Sequence, residues 1–498
     1  MTARDPRAGD TIFAVIRAWL PVCLLFGGCA QLAGIDSTSG DGRAGLSLGV
    51  ERVSIGTTIV RTPQDLSANT ATYLITDPAD PAVVTPVDAV ELEPGTWSAD
   101  VFDATPAVVF DLPDNPGPVF DRQIELPSKT LLTSFDVLEH PAPTPSVLTD
   151  TISVNTTLDV ATVGNETFEL FVVGTWTSAA LPAPAVGTAV LAPPPFTIGT
   201  MAKLTGRPHE SITLDDTPLV LRRVGGTLNG VFEPAPFVQV AANTVSGALT
   251  TVQLDQTLNA QIDQAGATAK LGVVRPAIAA GPAFSFDVTS APGADVGNTA
   301  GPRLASGVVA AMDVSLTAAF ANPFASKGWG AVLTYTAAGS RTLTPTGETL
   351  PVTLGAGMQQ VAGDPQAVAM LDFPAPVPEL VEIDGESLSI DNTTISQPVA
   401  PVEITMVVDP ATLYVVEVRE LVPNAGATAL EPRLILSAVS DTPSFTIQPE
   451  VFASGKLYSL RVRTIDGLFS GVADGDLRTR SLPFATAFVD VGIFRVTP

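Results

Sequence analysis

The chain has 498 residues and a formal charge of −26, with 51 acidic against 25 basic side chains. A chain this acidic lacks the basic footprint that nucleic-acid phosphates or anionic lipid surfaces require, so neither is expected as a partner. Its two cysteines, Cys23 and Cys29, both lie near the start, which leaves the body of the protein without a disulfide framework.

In chain order, Arg4, Arg7 and Arg17 come first, followed by the apolar run Ala18 to Phe26. That run is too short to cross a bilayer as a helix, which takes about 20 residues, and it suits the apolar stretch of a signal peptide, about 7–15 residues long. Pro21 within it argues against a buried helix. The segment Leu24-Leu25-Phe26-Gly27-Gly28-Cys29 resembles the lipobox of bacterial lipoproteins, with Phe26 departing from the Leu that family prefers. The resemblance implies cleavage before Cys29, lipidation of its thiol (palmitate being a typical chain) and acylation of the new amine. It therefore implies an anchor in a membrane of the cell envelope. One acyl chain holds a protein marginally and two or more hold it stably. Ala30 stands where Asp favours retention at the inner membrane in the best-studied envelopes, so the resemblance points to the cell outer membrane. Residues 1–28 are thus expected as signal peptide. Residues 29–48 are expected as the acylated cysteine with a flexible tether rich in Gly, Ser and Asp.

From Val50 onward the pattern is that of strands. Val108-Val109-Phe110 and Thr167 to Val173 are short apolar or alternating runs bounded by turn residues, as are Ala283 to Val288 and Gly330 to Tyr335. Thr227-Leu228-Asn229-Gly230-Val231-Phe232 reads as a hairpin turning at Asn229-Gly230, because that dipeptide supplies positive φ angles. Gly355-Ala356-Gly357-Met358-Gln359-Gln360 starts like a dinucleotide fingerprint but lacks its third glycine and is expected as a loop. The fold class is therefore all-β, with several β-sandwich modules in tandem, of immunoglobulin or fibronectin type III-like kind. Pro141 to Pro145 and Pro374 to Pro378 set the boundaries. They give a sandwich-like module over 49–145, a β-rich region of one or two modules over 146–372 with a further cut near residue 250, and a last module over 373–498.

The last module has the clearest pattern. Leu380 to Ile383 is a strand that runs into an Asp384-Gly385 turn, Val402 to Val407 alternates, and Tyr414, Val416 and Val418 share one face. Ile447 and the later string Tyr458-Ser459-Leu460-Arg461-Val462 resemble the signature of fibronectin type III modules, with Met406 offered where that family has a core Trp. The resemblance implies a two-sheet sandwich whose Tyr458 hydroxyl bonds the upstream backbone.

Chemistry is harder to find. His140 and His209 are the whole histidine complement, no G-x-S-x-G elbow exists, and no thiol remains if Cys29 is acylated and Cys23 removed. No catalytic, cofactor-binding or metal residue is assigned, and no cofactor is expected. Calcium at Asp466, Asp474 and Asp476 stays open, against the reading that Asp466-Gly467 and Asp474-Gly475-Asp476 are simply turns. The expected function is that of a lipid-anchored envelope protein with a structural or protein-interaction role and an envelope protein as partner. The alternative is a surface lipoprotein that binds a glycan or peptide, in a pocket lined by Trp97 or Trp176. Carboxylate-only catalysis and a transmembrane barrel are the minor alternatives.

Overall fold

The computed structural model describes residues 44–361 and 380–498, except 56–58, 67–68, 78, 101–106, 113–119, 127, 129, 139–148, 174–176, 204–215, 238–242, 263–283, 292–300, 310–313, 344–348, 389–392, 409 and 425. The lipobox with Cys29, both histidines, Trp176 and the proline-rich boundaries near 145 and 373 lie outside these residues. Within them the protein is almost wholly β, and the helical pieces are single 3-10 turns of three residues. The all-β class and the multi-sheet organisation are as the strand patterns predict.

The first region contributes β1 (Ala44–Ile55), β2 (Ile59–Pro63), β3 (Ala71–Asp77), β4 (Asp80–Asp88), β5 (Val90–Glu93), β6 (Thr96–Ala99), β7 (Ala107–Leu112), β8 (Phe120–Glu125) and β9 (Thr130–Leu138). One sheet runs β5-β6-β1-β9 and a second runs β4-β3-β7-β8. Strand β1 begins inside the expected tether, so Ala44 to Leu48 are strand rather than linker. Ala44, Leu46, Leu48 and Val50 are all buried at a two-residue period that the intervening Gly and Ser mask in the sequence. Trp97 is buried beside Leu46, Tyr73 and Phe110 in this core.

The second region is a nine-stranded sheet built from β10 (Thr151–Leu158), β11 (Glu166–Val173), β12 (Thr177–Leu181), β13 (Val190–Leu191), β14 (Phe196–Thr197), β15 (Ala202–Lys203), β16 (Thr217–Val224), β17 (Thr227–Phe232) and β18 (Asn243–Thr251). Its last strand ends at Thr251. The β16–β17 hairpin exists, but it turns at Gly225-Gly226, with φ of 57° and 86°, and Asn229-Gly230 lies inside β17. Gly230 serves close packing instead, since a Cβ there would stand 2.4 Å from Leu249 Cδ2. Strand β16 is buried on both faces. Val220 packs with Phe168 and Leu170, while Leu219 and Leu221 face the next region.

That next region holds β19 (Gln256–Ile262), β20 (Phe284–Ala291), β21 (Arg303–Val309), β22 (Val314–Phe320), β23 (Gly330–Leu343) and β24 (Leu350–Val361). The expected loop at Gly355 to Gln360 is part of β24. Gly357 is there because a side chain would collide with the Tyr335 carbonyl at 2.6 Å and the Phe488 ring at 2.9 Å.

The last module comprises β25 (Leu380–Ile383), β26 (Glu386–Ser387), β27 (Thr393–Ser396), β28 (Val402–Val407), β29 (Leu413–Pro423), β30 (Leu430–Ser440), β31 (Ser444–Ile447), β32 (Leu457–Gly471) and β33 (Asp476–Thr497). One sheet is β26-β25-β28-β31, and the facing sheet runs β30-β29-β32-β33. Tyr414, Val416 and Val418 face Ile404, Met406 and Phe445 in the shared core, as their alternation predicts. Asp384 and Gly385 turn the first hairpin at φ of 50° and 76°. Tyr458 Oη accepts the Ala453 N–H at 2.8 Å, and its ring lies against Phe452 and Phe494. Tyr458→Phe keeps those ring contacts and loses one hydrogen bond. It is expected to cost about 1 kcal/mol, read as a drop in denaturation midpoint at unchanged m-value.

The modules share sheets. Strand β8 pairs in parallel with β30, β9 with the start of β33, and β24 antiparallel with β33. Leu413, Val415 and Val439, on the outer face of the last module, complete the core of the first.

Candidate functional site

Among the described residues polar chemistry gathers in several places. The first is a ladder on the outer face of the last module, where Arg463, Glu417, Arg419, Asp490 and Arg461 alternate in charge across β29, β32 and β33. Burial by itself would raise the Glu417 carboxyl, but Arg463, Arg419 and Arg461 outweigh it and hold that carboxyl below its usual range. Asp490 also accepts the Gly355 N–H at 2.7 Å, and Arg461 lies 4.7 Å from the Phe488 ring centre. These groups bond one another and tie β24 to the last module. The second is the buried pair Arg222–Glu166, which clamps the loop between β10 and β11.

The third is a cleft of about 250 Å³ between the two ends of the chain. Leu74, Val84, Ala107, Glu125 and Leu126 come from the first module, and Ser440, Asp441, Thr442, Thr446 and Gln448 from the end of β30 and the turn, strand β31 and following residue after it. The β8–β30 pairing creates it by setting Asp121–Glu125 beside Leu436–Ser440. Glu125 Oε1 accepts bonds from the Gln123 side-chain amide and from the Thr446 N–H at 3.3 Å. Gln123, fully buried, also donates to the Thr446 carbonyl at 2.8 Å. Burial pushes the Glu125 carboxyl up to about 7, against the downward pull of Thr446 and Gln123. Ser440 Oγ and Thr442 Oγ1 lie 3.0 Å apart, and Ser440 Oγ accepts the Thr442 N–H. The Gln448 amide nitrogen is buried with no hydrogen-bond partner.

Trp97 does not line this cleft; it is core. Asp466 accepts a bond from the Thr412 hydroxyl, Asp476 is held by Arg478, and Asp474 sits in the turn before β33. Asp466-Gly467 forms a bulge within β32 rather than a turn. Among the described residues no three His, Cys, Asp or Glu side chains stand together as metal ligands would. Glu125, Ser440, Asp441 and Gln448 carry no local sequence signal, because more than 300 residues separate the two walls.

Comparison with known proteins adds no relative: no protein-family model matches the chain, and no curated protein matches it. Among the described residues no helix is long and apolar enough to cross a membrane.

Proposed function

We propose that this protein is a lipid-anchored component of the bacterial cell envelope, held at the outer membrane through Cys29, with a structural or protein-interaction role and no catalysis. The observation that carries the reading is the Leu24 to Cys29 segment at the end of a short apolar run. Strand β1 starts at Ala44, so residues 30–43 separate the lipidated cysteine from the first sheet. Fully extended, they reach about 50 Å, enough to clear the headgroup layer. The fibronectin type III-like arrangement of the last module fits a display scaffold, although a fold of this kind hosts many functions.

A surface for an envelope partner is offered by β5, whose four side chains are all exposed. Val90 and Leu92 are 65% and 58% exposed. Edge strands of this kind receive extended segments of other chains by strand addition.

Cys29→Ser, expressed in a bacterial host, is expected to move the protein from the membrane fraction to the soluble fraction. Mass spectrometry of the wild-type N-terminal peptide is expected to find an acylated Cys29 as first residue. A leader cut elsewhere, or an unmodified Cys29 thiol, overturns the reading.

A further inference from the structure

We infer that the paired loops 159–165 and 182–189 of the second region form a contact surface for a zwitterionic lipid bilayer. Val160, Val163, Val186 and Val190 are 49%, 64%, 71% and 41% exposed, four of the eleven exposed large apolar side chains among the described residues. Valines exposed singly need no explanation, but a group of them marks a contact. This group stands on the two loops, with Val190 opening β13. The loops are laced together: the Thr162 N–H donates to the Thr188 carbonyl at 3.0 Å, the Gly187 N–H to that of Thr162 at 2.8 Å, and the Leu158 N–H to that of Ala189 at 2.9 Å. A Cβ on Gly164 would stand 3.1 Å from Val186 Cγ2, so the two tips adjoin. The first loop is also fixed from beneath. Arg222 holds the Val160 and Ala161 carbonyls, and Glu166 holds the Val163 N–H. That gives the buried Arg222–Glu166 pair a use, since it sets the loop of Val160 and Val163 in advance of any contact.

The chemistry of the occupant follows from what the surface lacks. From Leu170 to Ala202 the sequence carries no charged side chain, in a chain of net charge −26. The flanking acids are engaged within the protein: Asp159 accepts the Thr251 N–H and hydroxyl, and Glu166 pairs with Arg222. An anionic lipid surface would find no cation on either loop and would meet the repulsion of the whole chain.

The backbone separates a bilayer from a protein partner. Lipid offers no hydrogen bonds, so a loop that enters it must satisfy its own peptide groups. The bonds above already occupy backbone groups of Val160, Ala161, Thr162, Val163, Gly187 and Thr188, and Pro182 and Pro184 have no N–H. Another chain adding as a strand would need those groups free. Nor do the loops carry the Trp, Tyr or Arg that anchors protein interfaces. The inference rests on the envelope reading for its setting, because a chain held at Cys29 meets a bilayer at high effective concentration.

The contact itself is tested without that anchor, on the full chain with Cys23→Ser and Cys29→Ser, which removes both thiols and the lipidation site. An environment-sensitive dye is placed on Val186→Cys or, as control, on Val407→Cys, another exposed valine, in β28. With phosphatidylcholine vesicles the dye at 186 is expected to shift to the blue, half-maximally at roughly 1 mM lipid, and the dye at 407 to stay unchanged. Because each dye reports its own surroundings, binding through the leader does not mimic this contact. Val163→Asp, at an exposed position, is expected to raise the lipid requirement about tenfold or more. No shift at 186 with about 10 mM lipid, an equal shift at 407, or a shift that Val163→Asp leaves intact overturns the inference. So does a blue shift that grows with protein concentration in the absence of lipid, which assigns the surface to a second copy of the chain. None of these results bears on Cys29, whose acylation is read separately by mass spectrometry.

Discussion

Glu166→Ala is expected to destabilise the second region by about 3–5 kcal/mol, the loss that follows when one partner of a buried ion pair is removed. Arg222 and Glu166 side chains are 2% and 1% exposed and bond each other directly. Arg222 Nη1 donates to the Val160 carbonyl at 2.9 Å and Nη2 to that of Ala161 at 3.4 Å, while Glu166 Oε2 accepts the Val163 N–H at 3.0 Å. With alanine, the guanidinium stays buried on two carbonyls with only the exposed Asp159 carboxylate as counter-charge, and the Val163 N–H loses its acceptor. Replacing both partners by Leu removes the desolvated charge altogether and is expected to recover most of the loss. Urea denaturation of the two variants, with hydrogen exchange followed in β11 and β16, measures both effects. A single-variant loss below about 1 kcal/mol means that water reaches the pair.

What the sequence made legible here is periodicity, and what it hid is pairing. Tyr414, Val416 and Val418 alternate with residues of the opposite face, so strand and buried face follow from composition along one segment. The same alternation in Ala44, Leu46, Leu48 and Val50 was obscured because Gly and Ser between them read as linker. Glycine is ambiguous for a physical reason: it is selected either for positive φ or for the space a Cβ would occupy. Gly225 and Gly226 meet the first need, whereas Gly230 and Gly357 meet the second, and only the partner strand tells them apart. Likewise, alternation says that Ile124 and Val439 are buried without saying that β8 lies beside β30. The cleft is a product of that pairing. Glu125 is one of 51 acids until Thr446 and Gln123 are placed against it.

The shared sheets have a further consequence for folding. Cut free at residue 373, the last module would expose Leu413, Val415 and Val439 and the β30 edge that β8 covers, a combination that favours aggregation. Closing contacts across more than 300 residues also delays folding until most of the chain is made. Both features suit a body that folds as one unit rather than as independent beads.

Glu125→Gln is expected to stabilise the protein above pH 7 by on the order of 2–3 kcal/mol and to make little difference at pH 4. The sign follows from proton counting. The carboxyl has an ordinary value of 4.5 and stands at about 7 in the folded protein, chiefly because it is buried. Between those values the folded state keeps a proton that the unfolded state has released, so wild-type stability falls as pH rises through this window and stays low above it. Glutamine is neutral throughout, can accept the Thr446 N–H as the carboxyl does, and escapes that loss. Urea midpoints at pH 4, 6 and 8 for both proteins measure the difference directly. A constant offset at all three values, or a Gln variant weaker at pH 8, shows that Glu125 is ionised and solvated in the folded state.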